Sequence, residues 1–102
     1  MVPGILVRED TVLFRIDGNE LASEGLKDGD LVLVREAKAI ESFDNKIVIA
    51  LIGGERVILR RHCKFGTMVH FSAIEGDHPI IRFPAENVEV KYLVTSITRA
   101  FE

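Results

Sequence analysis

The sequence predicts one all-β domain, mainly antiparallel and strongly twisted, with one short helical turn. Three observations carry that expectation. About seven short runs alternate apolar and polar residues or are rich in β-branched ones, turns centred on glycine separate them, and a single stretch is compatible with helix.

Residues 12–17, VLFRID, put Val12, Phe14 and Ile16 on one face and Arg15 and Asp17 on the other, the pattern of a half-buried strand. Asn19 to Glu24 then reads as one helical turn, stopped by Gly25 and flanked by Leu21 and Leu26. In KDGD at 27–30, Asp28-Gly29 suits the positive φ angles of a tight reversal into the strand LVLVRE. The segment NKIVIALI runs into Gly53-Gly54 and out through ERVILRR, a two-residue hairpin signal with β-branched residues on both sides. After Lys64-Phe65-Gly66, TMVHFSA alternates again and HPIIRFP gives a short strand closed by Pro84. The stretch VEVKYLVTSITRAF supplies one long or twice-broken final strand. No repeat, linker or low-complexity segment interrupts the chain, so residues 1–102 are expected to form one domain.

Composition narrows the function classes. With 47% hydrophobic and 28% charged residues, the chain has the make-up of a globular domain. At this size roughly two-thirds of the unfolded surface is buried, enough for a core without disulfides or a structural metal. Cys63 is the single cysteine, which excludes a disulfide within the chain and fits a reducing, cytoplasmic setting. The first ten residues lack a signal-peptide pattern, and the longest apolar run, IVIALI at 47–52, is far shorter than the ~20 residues that cross a bilayer. Neither export nor membrane insertion is expected.

A formal net charge of −3 argues against a surface built for phosphate contacts, so direct nucleic-acid binding by this segment is not expected. Arg56, Arg60, Arg61, His62 and Lys64 form a local basic group without interleaved aromatic residues, which reads as a solvated edge. His62, Cys63, His70 and His78 lack metal-site spacing, and adjacent strand residues such as His62 and Cys63 point to opposite faces; Cys63 reads as a small core residue. Gly53-Gly54 is explained by its hairpin rather than by a phosphate loop. No cofactor and no metal are expected.

Residues 16–31, IDGNELASEGLKDGDL, resemble the signature of the LexA/UmuD self-cleaving serine peptidase family, in which a strand end leads to Gly-x-Ser-Met, a Gly-hydrophobic pair and Asp-Gly-Asp-Leu. Gly18, Gly25, Leu26, Asp28, Gly29, Asp30 and Leu31 fall on matching positions. KIVIALIGGERVILRR stands where the family has a strand, a short hairpin and the strand bearing its catalytic lysine, and the resemblance extends over roughly residues 12–101. It implies the LexA/signal-peptidase-like fold, twisted sheets with a partly open barrel.

The departures fall on the chemistry. On this resemblance the nucleophilic serine aligns with Glu20, the Met after it with Leu21, the general-base lysine with Leu59, and a hydroxyl-bearing residue of LexA with Val57. A serine hydroxyl is a weak nucleophile until a base takes its proton, and a lysine serves only when burial leaves it neutral. Leu59 accepts no proton. Arg60 beside it stays protonated, and on a strand it faces the opposite way. Ser23, three residues along a helical turn from Glu20, is the one hydroxyl that could stand in, although hydroxyls in such turns usually cap backbone N–H groups. Glu20 itself has no evident acid or base partner and reads as a solvated rim residue. Pairing Glu20 with Arg61 would add only ~0–1 kcal/mol at a partly exposed site. The expectation is an inactive peptidase homologue with no catalytic residue, the alternative being a peptidase with a displaced dyad.

The resemblance also implies a homodimer built on VTSITRAF at 94–101. Alternation would put Val94, Ser96, Thr98 and Ala100 on one face and Thr95, Ile97, Arg99 and Phe101 on the other. The interface expected is Val94, Ser96, Ile97, Thr98, Arg99 and Phe101, with Ile97 and Phe101 as apolar anchors. LexA-type repressors carry an N-terminal helix-turn-helix, and the nineteen residues before Glu20 hold neither that pattern nor the family's Ala-Gly or Cys-Gly cleavage segment. UmuD-type proteins lack the helix-turn-helix and partner a translesion polymerase. The implied role is therefore a non-catalytic dimerisation and protein-interaction module in the bacterial DNA-damage (SOS) response or in transcriptional regulation. Its implied partners are a translesion polymerase or a repressor's DNA-binding domain, and the alternative is the regulatory C-terminal fragment of such a repressor.

Overall fold

A computed structural model describes residues 2–18, 26–38, 42–74 and 79–99. Eight strands follow in order: β1 (Val2–Arg8), β2 (Thr11–Arg15), β3 (Leu31–Glu36), β4 (Ile47–Ile52), β5 (Arg56–Phe65), β6 (Met68–Ser72), β7 (Ile81–Pro84) and β8 (Val88–Thr98). They form one antiparallel sheet in the order β1-β2-β3-β8-β4-β5-β6-β7, open at β1 and β7. Apart from a 3-10 turn at Ala85–Asn87, the described residues contain no helix, and none is long and apolar enough to cross a membrane. The expected helical turn at Asn19 to Glu24 lies outside the described residues.

Three details depart from the sequence expectations, at β1, at the β4–β5 turn and along β8. β1 was not foreseen, because Pro3 and Gly4 are poor strand residues; an edge position tolerates them, and the β1–β2 register is irregular. The β4–β5 connection has three residues rather than two. Gly53 and Gly54 do take positive φ angles of 59° and 75°, but Glu55 also stays out of the ladder, its N–H donating to the Ile52 carbonyl at 3.1 Å. Opposed residues share a face, so pairing Ala50 with Ile58 and Ile49 with Leu59 requires an odd number of loop residues.

The sheet has a core on each face. Val48, Ala50, Ile52, Ile58, Val69, Phe71 and Leu93 form one cluster, and Ile16, Leu26, Val32, Val34, Ile49 and Leu59 form the other. β4 contributes to both, which is why IVIALI reads as a continuous apolar run. Fully burying each of these Val, Leu, Ile and Phe side chains contributes roughly 1.5–3 kcal/mol.

β8 serves both clusters by means of two register shifts. Against β4 the pairing passes from Val90 to Tyr92 and skips Lys91; against β3 it passes from Val94 to Ser96 and skips Thr95. Each extra residue resets the alternation. Val90 and Leu93 therefore reach the first core, while Tyr92, Val94 and Ile97 all pack on the second. Simple alternation had put Val94 and Ile97 on opposite faces.

Candidate functional site

Leu59 occupies the middle of β5, opposite Ile49, and is 3% exposed. The hydrocarbon cluster around it includes Ile16 and Leu26, both fully buried. These two residues bracket the segment that carries Glu20. Its two ends are thus held on the side of the sheet where Leu59 lies, while Glu20, Leu21 and Ser23 themselves fall outside the described residues.

The Asp-Gly-Asp sequence closes the base of that segment. Ile16 N–H donates to the Asp30 carbonyl at 2.8 Å, and Gly29 N–H donates to the Ile16 carbonyl at 2.9 Å. Asp28 Oδ1 accepts the Gly18 N–H at 2.7 Å. Gly29, at φ 87°, takes the left-handed conformation that the reversal needs. Asp30 is 1% exposed; its Oδ2 accepts the Lys27 N–H at 2.9 Å and an Arg99 Nη1 bond at 3.1 Å. One carboxylate thereby ties the segment's exit to the residue that follows β8.

The chemistry available around Leu59 is that of hydrocarbons. Val57 is on the exposed start of β5, and Arg60 is buried on the other face with Nη1 donating to the Pro79 carbonyl at 3.0 Å. The Arg61 guanidinium donates from Nη1 to the Asn45 carbonyl at 2.7 Å. Cys63 is half-buried in a cross-strand pair with His70 rather than enclosed in a core. Among the described residues no group of three or more His, Cys, Asp or Glu side chains could hold a metal, and His78 lies outside them.

The basic group is a solvated edge only in part: Arg56 and Lys64 are exposed and Arg61 is half-buried. Arg60 and His62 are both only 7% exposed, because alternate residues of β5 turn into the first core. His62 lies edge-on between Phe43 and Phe71, and its Nδ1 is buried without a hydrogen-bond partner. Burial pushes its pKa below the ordinary histidine value, with Lys64 adding to the effect and Asp44 opposing it. The sequence shows a histidine among cations and gives no sign of which face is covered. A groove of about 660 Å³ borders His62, lined also by Phe43, Val69, Val88 and Val90, on the face away from Leu59.

The strand predicted to dimerise is half enclosed. β3 pairs along Tyr92 to Thr98, whereas β4 pairs only with Val88 to Leu93. Among the described residues, the edge of β8 beyond Leu93 that faces away from β3 has no strand beside it. Ser96 and Thr98 are exposed there, Val94 and Ile97 pack on the second core, and Arg99 turns to Asp30. Phe101 lies outside the described residues.

Comparison with known proteins matches these parts to relatives. LexA repressors from Ruegeria sp. (strain TM1040), Cereibacter sphaeroides and Thermotoga neapolitana are 28%, 24% and 30% identical over 84%, 98% and 99% of this chain. The aligned regions make up 35%, 44% and 48% of those proteins, so the chain spans less than half the length of each. The Peptidase S24-like family model matches residues 2–94, taking in β1 to β7, the bracketed segment, Leu59 and the first half of β8. On that match, the chain belongs to the Peptidase S24-like family.

Proposed function

We propose that this chain is a non-catalytic, LexA/UmuD-like dimerisation and protein-interaction domain in a bacterial DNA-damage response or in transcriptional regulation. The observation that carries the reading is the burial of Leu59, 3% exposed, in a cluster that also anchors both ends of the segment bearing Glu20. An aliphatic side chain at the base position can neither take a proton from a hydroxyl nor return one to a leaving amine. With Glu20 in place of the serine, nucleophile and base are both gone while the supporting clasp of Asp28 and Asp30 remains. The curated relatives are named as repressors, and the larger part of each lies outside the matched region. A DNA-binding domain of such a repressor is accordingly the partner proposed for this domain, with a translesion polymerase the partner that the UmuD resemblance implies.

Incubation with a fluorophosphonate probe tests the loss of catalysis. The chain is expected to stay unlabelled, while the Glu20→Ser, Leu59→Lys double variant regains labelling at residue 20. Labelling of Ser23 in the unaltered chain would restore the peptidase reading. The dimer is tested by sedimentation equilibrium. Charge placed at the exposed positions of the open edge, as in Ser96→Arg with Thr98→Arg, is expected to weaken self-association at least about tenfold by setting like charges opposite one another. A chain that is monomeric at every concentration would refute the homodimer.

A further inference from the structure

Strand pairing builds a surface on β5, β6 and β7 that the linear order of residues conceals. Opposed residues of an antiparallel pair project to the same face. Arg61 therefore lies beside Ser72, Cys63 beside His70 and Arg82, and Phe65 beside Met68 and Pro84. Arg60 and His62 turn to the opposite face and into the core.

This surface combines an aromatic platform with cations. Phe65 is 58% exposed, and its ring lies 4.6 Å from that of His70 with 41° between the planes. Arg82 is exposed in the same row as His70, and Arg61 commits one N–H to the Asn45 carbonyl while keeping its other donors. Among the described residues, neither arginine is ion-paired with a carboxylate. None of β5, β6 and β7 carries an Asp or Glu, and of their five Lys and Arg two, Arg61 and Arg82, project to this face. At physiological salt, charges more than ~8 Å away are largely screened, so a local face outweighs a net charge of −3.

We infer that the β5–β7 face binds single-stranded nucleic acid, with bases stacking on the Phe65–His70 platform and phosphates held by Arg82 and Arg61. The exposed ring favours this over an acidic peptide, because a carboxylate-rich segment gains from the arginines and has no need of a π-face, whereas any base can stack. Binding is modest and independent of sequence, because nothing on the face reads base edges in a fixed register.

Fluorescence anisotropy of a fluorescein-labelled oligothymidylate, titrated with the intact chain at several salt concentrations, tests it. Phe65→Ala is expected to weaken binding about tenfold, from the loss of one stacked base. Arg82→Ala is expected to lower the slope of log K against log salt by ~0.7, the value of one phosphate contact on a single strand. Lys91→Ala, on an exposed part of β8, leaves both quantities unchanged. Melting followed by circular dichroism checks that the variants fold. Failure to bind at low salt, or equal binding by Phe65→Ala and the unaltered chain, overturns the inference. Competition by polyglutamate as effective as that by unlabelled oligothymidylate also overturns it and assigns the face to an acidic protein segment.

Discussion

At the scale of single residues, His62 links burial to pH. Phe43 and Phe71 approach its ring edge-on at 6.1 and 5.9 Å, and Nδ1 has no partner, so the site suits a neutral ring and disfavours an imidazolium. Because burial lowers the folded-state pKa below 6.5, the unfolded chain binds the proton more readily. The contribution to stability is complete above about pH 6.5 and declines as pH falls from there to the lowered folded-state value. Urea midpoints measured between pH 8 and 5 are expected to drop across that window, and His62→Phe is expected to flatten the drop. An unchanged pH dependence in His62→Phe would show that other groups cause it. Arg99 makes a second case. Removing one partner of a buried pair costs ~3–5 kcal/mol, but the Arg99 side chain is 38% exposed and Asp30 keeps its bond from the Lys27 N–H, so Arg99→Ala should cost about 2 kcal/mol. A double-mutant cycle with Asp30→Asn should show coupling, and strict additivity would mean that the 3.1 Å bond contributes nothing to stability.

At the scale of elements, the β4–β5 turn separates backbone cost from packing cost. A Cβ added at Gly53 or Gly54 would meet no atom within 4 Å, so the effect of a substitution comes from the positive φ alone. Gly54→Ala is expected to cost ~1 kcal/mol and Gly54→Asn less, read as shifts in melting temperature. A neutral Gly54→Ala would mean that the turn changes type freely. This turn was legible in the sequence because two glycines between β-branched runs have few other uses. The strands over 12–15, 31–36 and 47–52 were legible for a similar reason, since their signals, alternation in the first and β-branched apolar runs bounded by turns in the others, are local. β1 was not, because Pro3 and Gly4 mask an edge strand whose existence depends on β2 being there to pair. The shifts at Lys91 and Thr95 were hidden as well: a bulge leaves the composition of a strand unchanged and alters only which neighbour each residue meets. For the candidate site, the sequence marked Leu59 by resemblance and read Asp28-Gly29 as a tight reversal, but it showed neither the burial of Leu59 nor the hydrogen bonds that Asp28 and Asp30 accept. The burial of Arg60 and His62 escaped because alternation assigns residues to two faces without saying that both faces of β5 are covered.

For the whole molecule, the order β1-β2-β3-β8-β4-β5-β6-β7 gives the last strand the central role. β3 and β4 do not pair with each other; among the described residues β8 is the strand whose hydrogen bonds link the three strands on one side to the four on the other, and the second core adds side-chain packing between the halves through Val32, Val34, Ile49 and Leu59. Both cores depend on it: Leu93, Val88 and Val90 complete the first, and Tyr92, Val94 and Ile97 pack on the second. Its contacts close long loops, whose entropy must be overcome before any apolar area is buried. A chain ended after Asn87 should therefore lose both halves together, giving a poorly dispersed NMR spectrum and a broad, non-cooperative urea transition. Deleting β1, which pairs only with β2, should instead leave a folded protein of lower stability. A synthetic peptide spanning residues 88–102, added in trans to the truncated chain, should restore dispersion and cooperativity by supplying the strand that β3 and β4 share. Native-like dispersion in the truncated chain alone would show that each half-sheet is stable by itself, and β8 would then be an accessory strand.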